Sequence, residues 1–354
     1  MAGYRIAVLE GDGIGPEVVG AARRVLEAAL ARVPAPAVEF VPLPVGLAAY
    51  ETHGSTLPAA TLAALEGCDG WLLGPLTTHL YQGEAMPNAS AALRTGFQLY
   101  ANLRPARSYP GVSSLHDDVD LIVVRENTEG FYADRNLLDG NGELRPDADT
   151  VLSVRVVTRR ASERIARAGF ELARRRRRHV TLVHKANVLR RGDGLFLEAA
   201  RQVAAGYPEV AIDDYHVDAF AMHLVMRPRD YDVIVTTNLF GDVLSDEAAG
   251  LIGGLGLAPG LNAGDRYAMA QAVHGSAPDI AGQGIANPAA SILSAAMLFD
   301  WLGARHDDAG ARALAARIEA AVGAALRDPS AHTPDLGGQA TTEEMTAVVL
   351  RALG

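Results

Sequence analysis

Short apolar, β-branched runs recur along the chain: RIAVLE (5–10), VEFVPL (38–43), GWLLG (70–74), DLIVVRE (120–126), VTLVHK (180–185) and YDVIVTT (231–237). Each predicts a strand. Between them the apolar spacing predicts helices over 16–31, 58–66, 89–100, 161–178, 194–206, 218–226 and 242–252. That alternation argues an α/β fold around a central, largely buried sheet. The segment 136–160 breaks the rhythm: the turn signal DGNG precedes the alternating run VLSVRVV. An extended arm fits it better than a core βα unit. The last hundred residues are Ala-rich and read as mostly helical. The longest apolar run, 286–303, carries Asn287, Pro288 and Asp300, so it predicts a buried helix, not a membrane span.

Length and charge narrow the field. A chain of 354 residues suggests about two domains. A net charge of −10 argues against wholesale binding to nucleic acid or an anionic membrane. Five arginines at 174–178 end a helix, where cations suit the negative dipole end, and no aromatics interleave them. The single cysteine, Cys68, sits in the apolar CDGWLLGP and reads as a core thiol in a reducing compartment. The N-terminus lacks a basic region followed by an apolar core, so no signal peptide is expected and the location is expected to be cytoplasmic. The opening IAVLEGDGIGPEVV places Gly11, Gly13 and Gly15 as G-x-G-x-G, which is not the G-x-G-x-x-G dinucleotide fingerprint. Its plain reading is a tight turn into a helix, with Pro16 at the first position and Glu17 near the positive end.

Chemistry concentrates in four places. In NLFGDVLSDEA, Asp242 and Asp246 stand four apart on one face of a helix that follows a strand. Asp218, in YHVDAFAMHL, likewise follows a strand and opens a helix. Oxygen-only ligands of this kind suit Mg²⁺ or Mn²⁺, and helix capping explains the same placement. Arg94, Arg104 and Arg125 form a second group. Arg104 and Arg125 lie among apolar neighbours, so each guanidinium needs an acidic partner, internal or in a polyacid substrate. Third, Lys185 and Asn187 end the strand VTLVHK, where α/β proteins place their ligands, and Tyr132 is a candidate phenolic partner. Fourth, the loop 272–288 is rich in small residues and holds Gly275, Ser276, Ala277, Asp279 and Asn287. A free carboxylate such as Asp279 suits both hydroxyls of an adenosine ribose and repels a 2′-phosphate.

In order along the chain, GDGIGPE, LRTGFQLYANLRP, RENTEGFY, HKANV, NLFGDVLSDEAAGLIGGLGLAPGLNAGD and HGSAPDIAGQGIANP resemble the β-decarboxylating dehydrogenases, the group of isocitrate, isopropylmalate, homoisocitrate and tartrate/malate dehydrogenases. The resemblance covers essentially the whole chain. It implies two α/β domains sharing a central sheet, with a β-arm clasp, and not a Rossmann fold. The large cofactor-binding domain is expected at 1–100 with 252–354, the small domain at 101–251, and the dimerisation arm near 136–160. It implies that Arg94, Arg104 and Arg125 clamp the malate part of the substrate. Asp242 and Asp246, with Asp218 of a second copy, would hold Mg²⁺ or Mn²⁺. Lys185, also from the second copy, would relay the hydroxyl proton, and Tyr132 would protonate the enolate. The loop residues His274, Gly275, Ser276, Ala277, Asp279, Ile280 and Asn287 would hold the adenine half of NAD. The working unit is expected to be a homodimer with shared sites. A non-catalytic regulatory subunit is the remote alternative, and all five catalytic and metal positions are retained against it.

The resemblance also implies that PNASAALR, with Asn88, Ser90, Ala91 and Ala92 before Arg94, reads the substrate's variable substituent. Short polar side chains there suggest a polar or carboxylated substituent, hence isocitrate or a close analogue. Homoisocitrate, 3-isopropylmalate and tartrate/D-malate are the alternatives. Gln271 stands where many members of the group carry Glu, and the loop 75–87 matches no branch.

Overall fold

The computed structural model describes residues 3–132 and 142–354. Its strands are β1 Tyr4–Leu9, β2 Val38–Pro42, β3 Gly70–Leu73, β4 Ala101–Arg107, β5 Asp120–Glu126, β6 Glu143–Asp147, β7 Thr150–Ser153, β8 His179–His184, β9 Ala211–His216, β10 Val233–Thr236, β11 Leu261–Ala263 and β12 Ala268–Ala270. All but β6 and β7 join one sheet in the order β2-β1-β3-β12-β11-β4-β5-β10-β8-β9. Both flanks are parallel, and the β12-β11-β4-β5 centre is antiparallel. The six strands expected from apolar runs are all present within one to two residues at each end. The interiors of β3, β5, β8 and β10 are buried on both faces, which is why they read as unbroken apolar runs, whereas β2 is a half-exposed edge.

The centre of the sheet departs from the expectation. The helix expected over 89–100 ends at Gly96, and Ala101–Arg107 is a strand. Leu99 N–H bonds back to the Arg94 carbonyl, and Gln98 takes a positive φ of 53°, so the chain reverses and enters the sheet. ANLRPAR carries two arginines, an asparagine and a proline, and none of them signals a strand. Tertiary pairing makes it one. Pro105 is tolerated because β11 ends opposite Leu103, leaving the rest of β4 paired on one side only. Asn102 and Asn127 both donate to Asn262 Oδ1, at 3.0 and 2.9 Å, so buried amides tie β4, β11 and the end of β5. Strand β9 is also not apolar: AIDDYH is an exposed edge.

The apolar run 286–303 folds as the helix Ala289–His306, buried within its own chain against Gly15–Leu30 and Ala309–Ala325. No helix among the described residues is long and apolar enough to cross a membrane. Within 136–160, residues 136–141 lie outside the described residues, including most of the DGNG signal. Beyond them β6 and β7 form a separate exposed two-stranded ribbon that turns at 148–149. Leu144, Val151 and Leu152 are all exposed on it. Two of the five arginines are held to acids: Arg174 pairs with Glu171 and Glu209, and Arg176 with Asp120 and the buried Asp232.

Candidate active site

The C-terminal ends of β5, β10, β8 and β9 lie side by side, and each is followed by chemistry. Arg125 ends β5 and is 2% exposed; Arg104, on β4 alongside, is 7% exposed. The helix Asn238–Leu251 leaves β10 and brings its first turns over both. Asn238 Oδ1 accepts from Arg125 Nε at 2.8 Å. Asp242 Oδ1 accepts from Arg104 Nη1 at 3.0 Å and from Arg125 Nη1. Tyr132 donates its hydroxyl to Asp242 Oδ2 at 2.9 Å, and its ring lies 5.7 Å from the Arg125 guanidinium. Asp246, one turn on, stands 3.6 Å from Arg104. Arg104 is oriented from below by Asn102 and Ser245, at 3.1 and 2.7 Å. Sequence reading missed those two positioning residues, because a polar side chain carries no periodic signal.

Electrostatics separate the two aspartates. Burial disfavours ionised Asp242, but Arg125, Arg104 and the Tyr132 hydroxyl outweigh it and hold the carboxyl below its usual range. At Asp246 burial prevails over the more distant Arg104 and Arg125, with Asp242 adding repulsion, and its carboxyl is pushed up.

The facing wall comes from the helix Ala89–Gly96. Asn88 caps it, accepting from Ala91 N–H at 3.1 Å. Arg94 Nη2 and Ser90 Oγ both donate to Gln271 Oε1, at 2.9 and 3.2 Å. A half-open cavity of about 190 Å³ lies here, lined by Asn88, Ser90, Arg94, Arg104, Gln271 and His274 among others.

GDGIGPE braces the small-residue loop. Ile14 N–H donates to the Ser276 carbonyl at 2.9 Å, and a Cβ on Gly13 (φ +58°) would overlap that oxygen. Asp12 is buried and accepts from Leu47 N–H at 2.7 Å, Thr77 N–H at 2.8 Å and the Tyr81 hydroxyl at 2.5 Å. Thr77 Oγ1 then donates to Ser276 Oγ at 2.8 Å. Glycine-rich backbone is thus spent on the protein's own loops. In the braced loop, His274 Nε2 is buried without a partner among the described residues, and Ala277 takes a φ of +38°. Gly275 and Asp279 are exposed, while Ile280 packs on the core. Asn287 is already engaged on both amide atoms, with Asp335 and Ala289 N–H.

Lys185, at the end of β8, pairs with Asp218, at the start of the helix after β9. That partner holds the Asp218 carboxyl below its usual range. Asn187 is exposed just beyond. Among the described residues no group of three His, Cys, Asp or Glu side chains stands close enough to hold a metal. One chain therefore gathers Asp242 and Asp246 in one place and Lys185 with Asp218 in another.

A family profile described as Isocitrate/isopropylmalate dehydrogenase matches residues 5–349. The chain belongs to that family. The isocitrate/isopropylmalate dehydrogenases are β-decarboxylating oxidoreductases, and this chain is an enzyme of that class. It is 48% identical over 352 residues to an isocitrate/homoisocitrate dehydrogenase of Thermus thermophilus, covering 99% of this chain and 98% of that protein. It is 42% identical to a 3-isopropylmalate dehydrogenase of Methanothermobacter thermautotrophicus, covering 100% and 99%. The crystal structure of isocitrate dehydrogenase from Methylococcus capsulatus superposes with a TM-score of 0.89 at 44% identity, covering 99% of each chain.

Proposed function

We propose that this family member oxidises and decarboxylates a malate-type 2-hydroxy acid with NAD, and that the acid is isocitrate or a close tricarboxylic analogue. The observation that carries the reading is the convergence of buried Arg104 and Arg125 on Asp242, with Arg94 on the facing wall. Two guanidiniums with little solvent are built to take carboxylates. Short polar Ser90 and Asn88 line the cavity beside Arg94, which suits a polar substituent better than an isopropyl group.

The donor chemistry fits a hard divalent cation. Asp242 and Asp246 offer only oxygen, and burial with too little compensation at Asp246 is what a cation relieves. Asp218 of a second copy would complete the set of ligands, so the working unit is a homodimer. In this reading residues 1–100 with 252–354 form the large domain and 101–251 the small one. The arm near 136–160 then clasps the second copy. Bound Mg²⁺ or Mn²⁺ would supply Lewis acidity toward the hydroxyl oxygen and the negative charge that follows decarboxylation. Arg94, Arg104 and Arg125 orient the acid. Lys185 of the second copy takes the hydroxyl proton, and NAD, when bound, would supply the hydride acceptor. The resulting β-keto acid loses CO₂, because only then has its C–C bond an electron sink. Tyr132 delivers a proton to the carbon left behind.

The loop 274–282 fits an adenine nucleotide. His274 Nε2 is a buried atom wanting a partner, Gly275 and Ser276 bring backbone close, and Asp279 offers an exposed carboxylate. That carboxylate favours NAD over NADP by charge. The test is a turnover panel with Mn²⁺ and NAD or NADP against isocitrate, homoisocitrate, 3-isopropylmalate, D-malate and tartrate. Preference for NADP, or for 3-isopropylmalate, overturns the reading.

A further inference from the structure

Gln271 follows β12 and sits between the substituent wall and the cofactor loop. Its backbone is pinned: its N–H donates to the Gly260 carbonyl at 3.0 Å. Its side chain is half-buried, and Oε1 accepts from both Arg94 Nη2 and Ser90 Oγ. A guanidinium only donates, so the atom facing it must be the amide oxygen. The orientation of the amide is therefore settled by its neighbour. The –NH₂ must face the other way, and it makes no hydrogen bond among the described residues while Gln271 lines the half-open cavity.

A neutral amide here differs in two ways from a glutamate at the same place. It adds no negative charge beside Arg94, whereas a carboxylate would add one. It also presents a donor to the cavity, whereas an ionised carboxylate presents only acceptors. Both differences favour an extra anionic oxygen in the cavity.

We infer that Gln271 is a specificity-determining residue: its Nε2 donates to a third carboxylate, carried by the substrate's substituent, while its Oε1 sets Arg94 and Ser90. The inference rests on the proposed function and narrows it to tricarboxylic hydroxy acids. A site built to donate to a buried oxygen discriminates strongly against a ligand lacking it, since the donor is then left unpaired.

The experiment compares wild type, Gln271→Glu and Gln271→Leu at saturating NAD and Mn²⁺. Isocitrate and homoisocitrate carry the third carboxylate; D-malate and 3-isopropylmalate do not. Gln271→Glu is expected to raise KM for the tricarboxylates at least about tenfold more than for the dicarboxylates. Gln271→Leu, which removes the donor without adding charge, should shift KM in the same sense by less. Equal losses on both substrate classes overturn the inference, as does a rise in KM for NAD alone, which would assign the amide to the nicotinamide. A wild type that turns over neither class overturns the proposed function instead. The amide is then read from thermal shifts: isocitrate should stabilise wild type more than D-malate does, and Gln271→Glu should erase that difference. Persistence of the difference in the variant overturns the inference by itself.

Discussion

Gly241 lies directly against Arg125: a Cβ built on Gly241 would stand 2.6 Å from the Cβ and Cγ of that arginine. The helix Asn238–Leu251 can bring Asp242 onto Arg125 only because the preceding residue has no side chain. Gly241→Ala should therefore push the helix off β5 and misplace Asp242. Misplacement by about 1 Å costs on the order of a hundredfold in rate, and overpacking costs about 1–3 kcal/mol of stability. Steady-state kinetics and urea unfolding read both. Full activity in Gly241→Ala would show that the close approach does not matter.

Asp12 holds three donors, one in the first turn of the helix Gly46–His53 and two from the loop after β3. Asp12→Ala strands buried donors that cost about 1–3 kcal/mol each, so unfolding midpoints should fall clearly. Tyr81→Phe removes only one of the three and should cost about 1 kcal/mol. Because Thr77 links this knot to Ser276, both variants should raise KM for NAD more than KM for the hydroxy acid. An unchanged KM for NAD in Asp12→Ala would uncouple the knot from the cofactor loop.

Glu129 is buried beside Glu126 and accepts from Thr158 N–H and Oγ1, both at 2.8 Å. Burial outweighs those bonds and pushes its carboxyl up to about 7. The folded chain thus holds the proton more tightly than the unfolded chain. Its stabilising contribution is full below the ordinary glutamate range near 4.5 and is lost as pH rises through about 7. The slope cannot exceed about 1.4 kcal/mol per pH unit for one group. Urea unfolding between pH 4.5 and 8 should show this component in wild type, and Glu129→Gln should remove it. Identical pH profiles for the two chains would refute the assignment.

Shared sites predict complementation. Lys185→Ala and Asp242→Asn are each expected to be inactive. Refolded together in equal amounts, half of the dimers are hybrids, each with one intact site of two, so about a quarter of wild-type activity should return. If Lys185 served the site of its own chain, mixing would restore nothing.

Much of the site was legible before any tertiary information. Arg125 inside an unbroken apolar run had to be buried and partnered, and Asp242 and Asp246 at i,i+4 had to share a face. Strand β4 was not legible, although it carries Arg104, because polar residues and a proline break up its apolar ones and it is held between β5 and, more than 150 positions away, β11. The braces at Asn102, Ser245 and Asp12 escaped for the same reason.

Hydrophobic periodicity by itself determined six of the strands, most of the helices between them and the strand ends at which chemistry collects. It does so because burial of a face imposes a repeat on neighbouring positions. Tertiary structure alone decided which polar groups meet: Asp242 with Arg104 and Arg125, Lys185 with Asp218, Gln271 with Arg94 and Ser90, and GDGIGPE with the Ser276 loop. Such pairings join residues far apart in the chain, depend on a single distance and angle, and leave no periodic trace in the sequence.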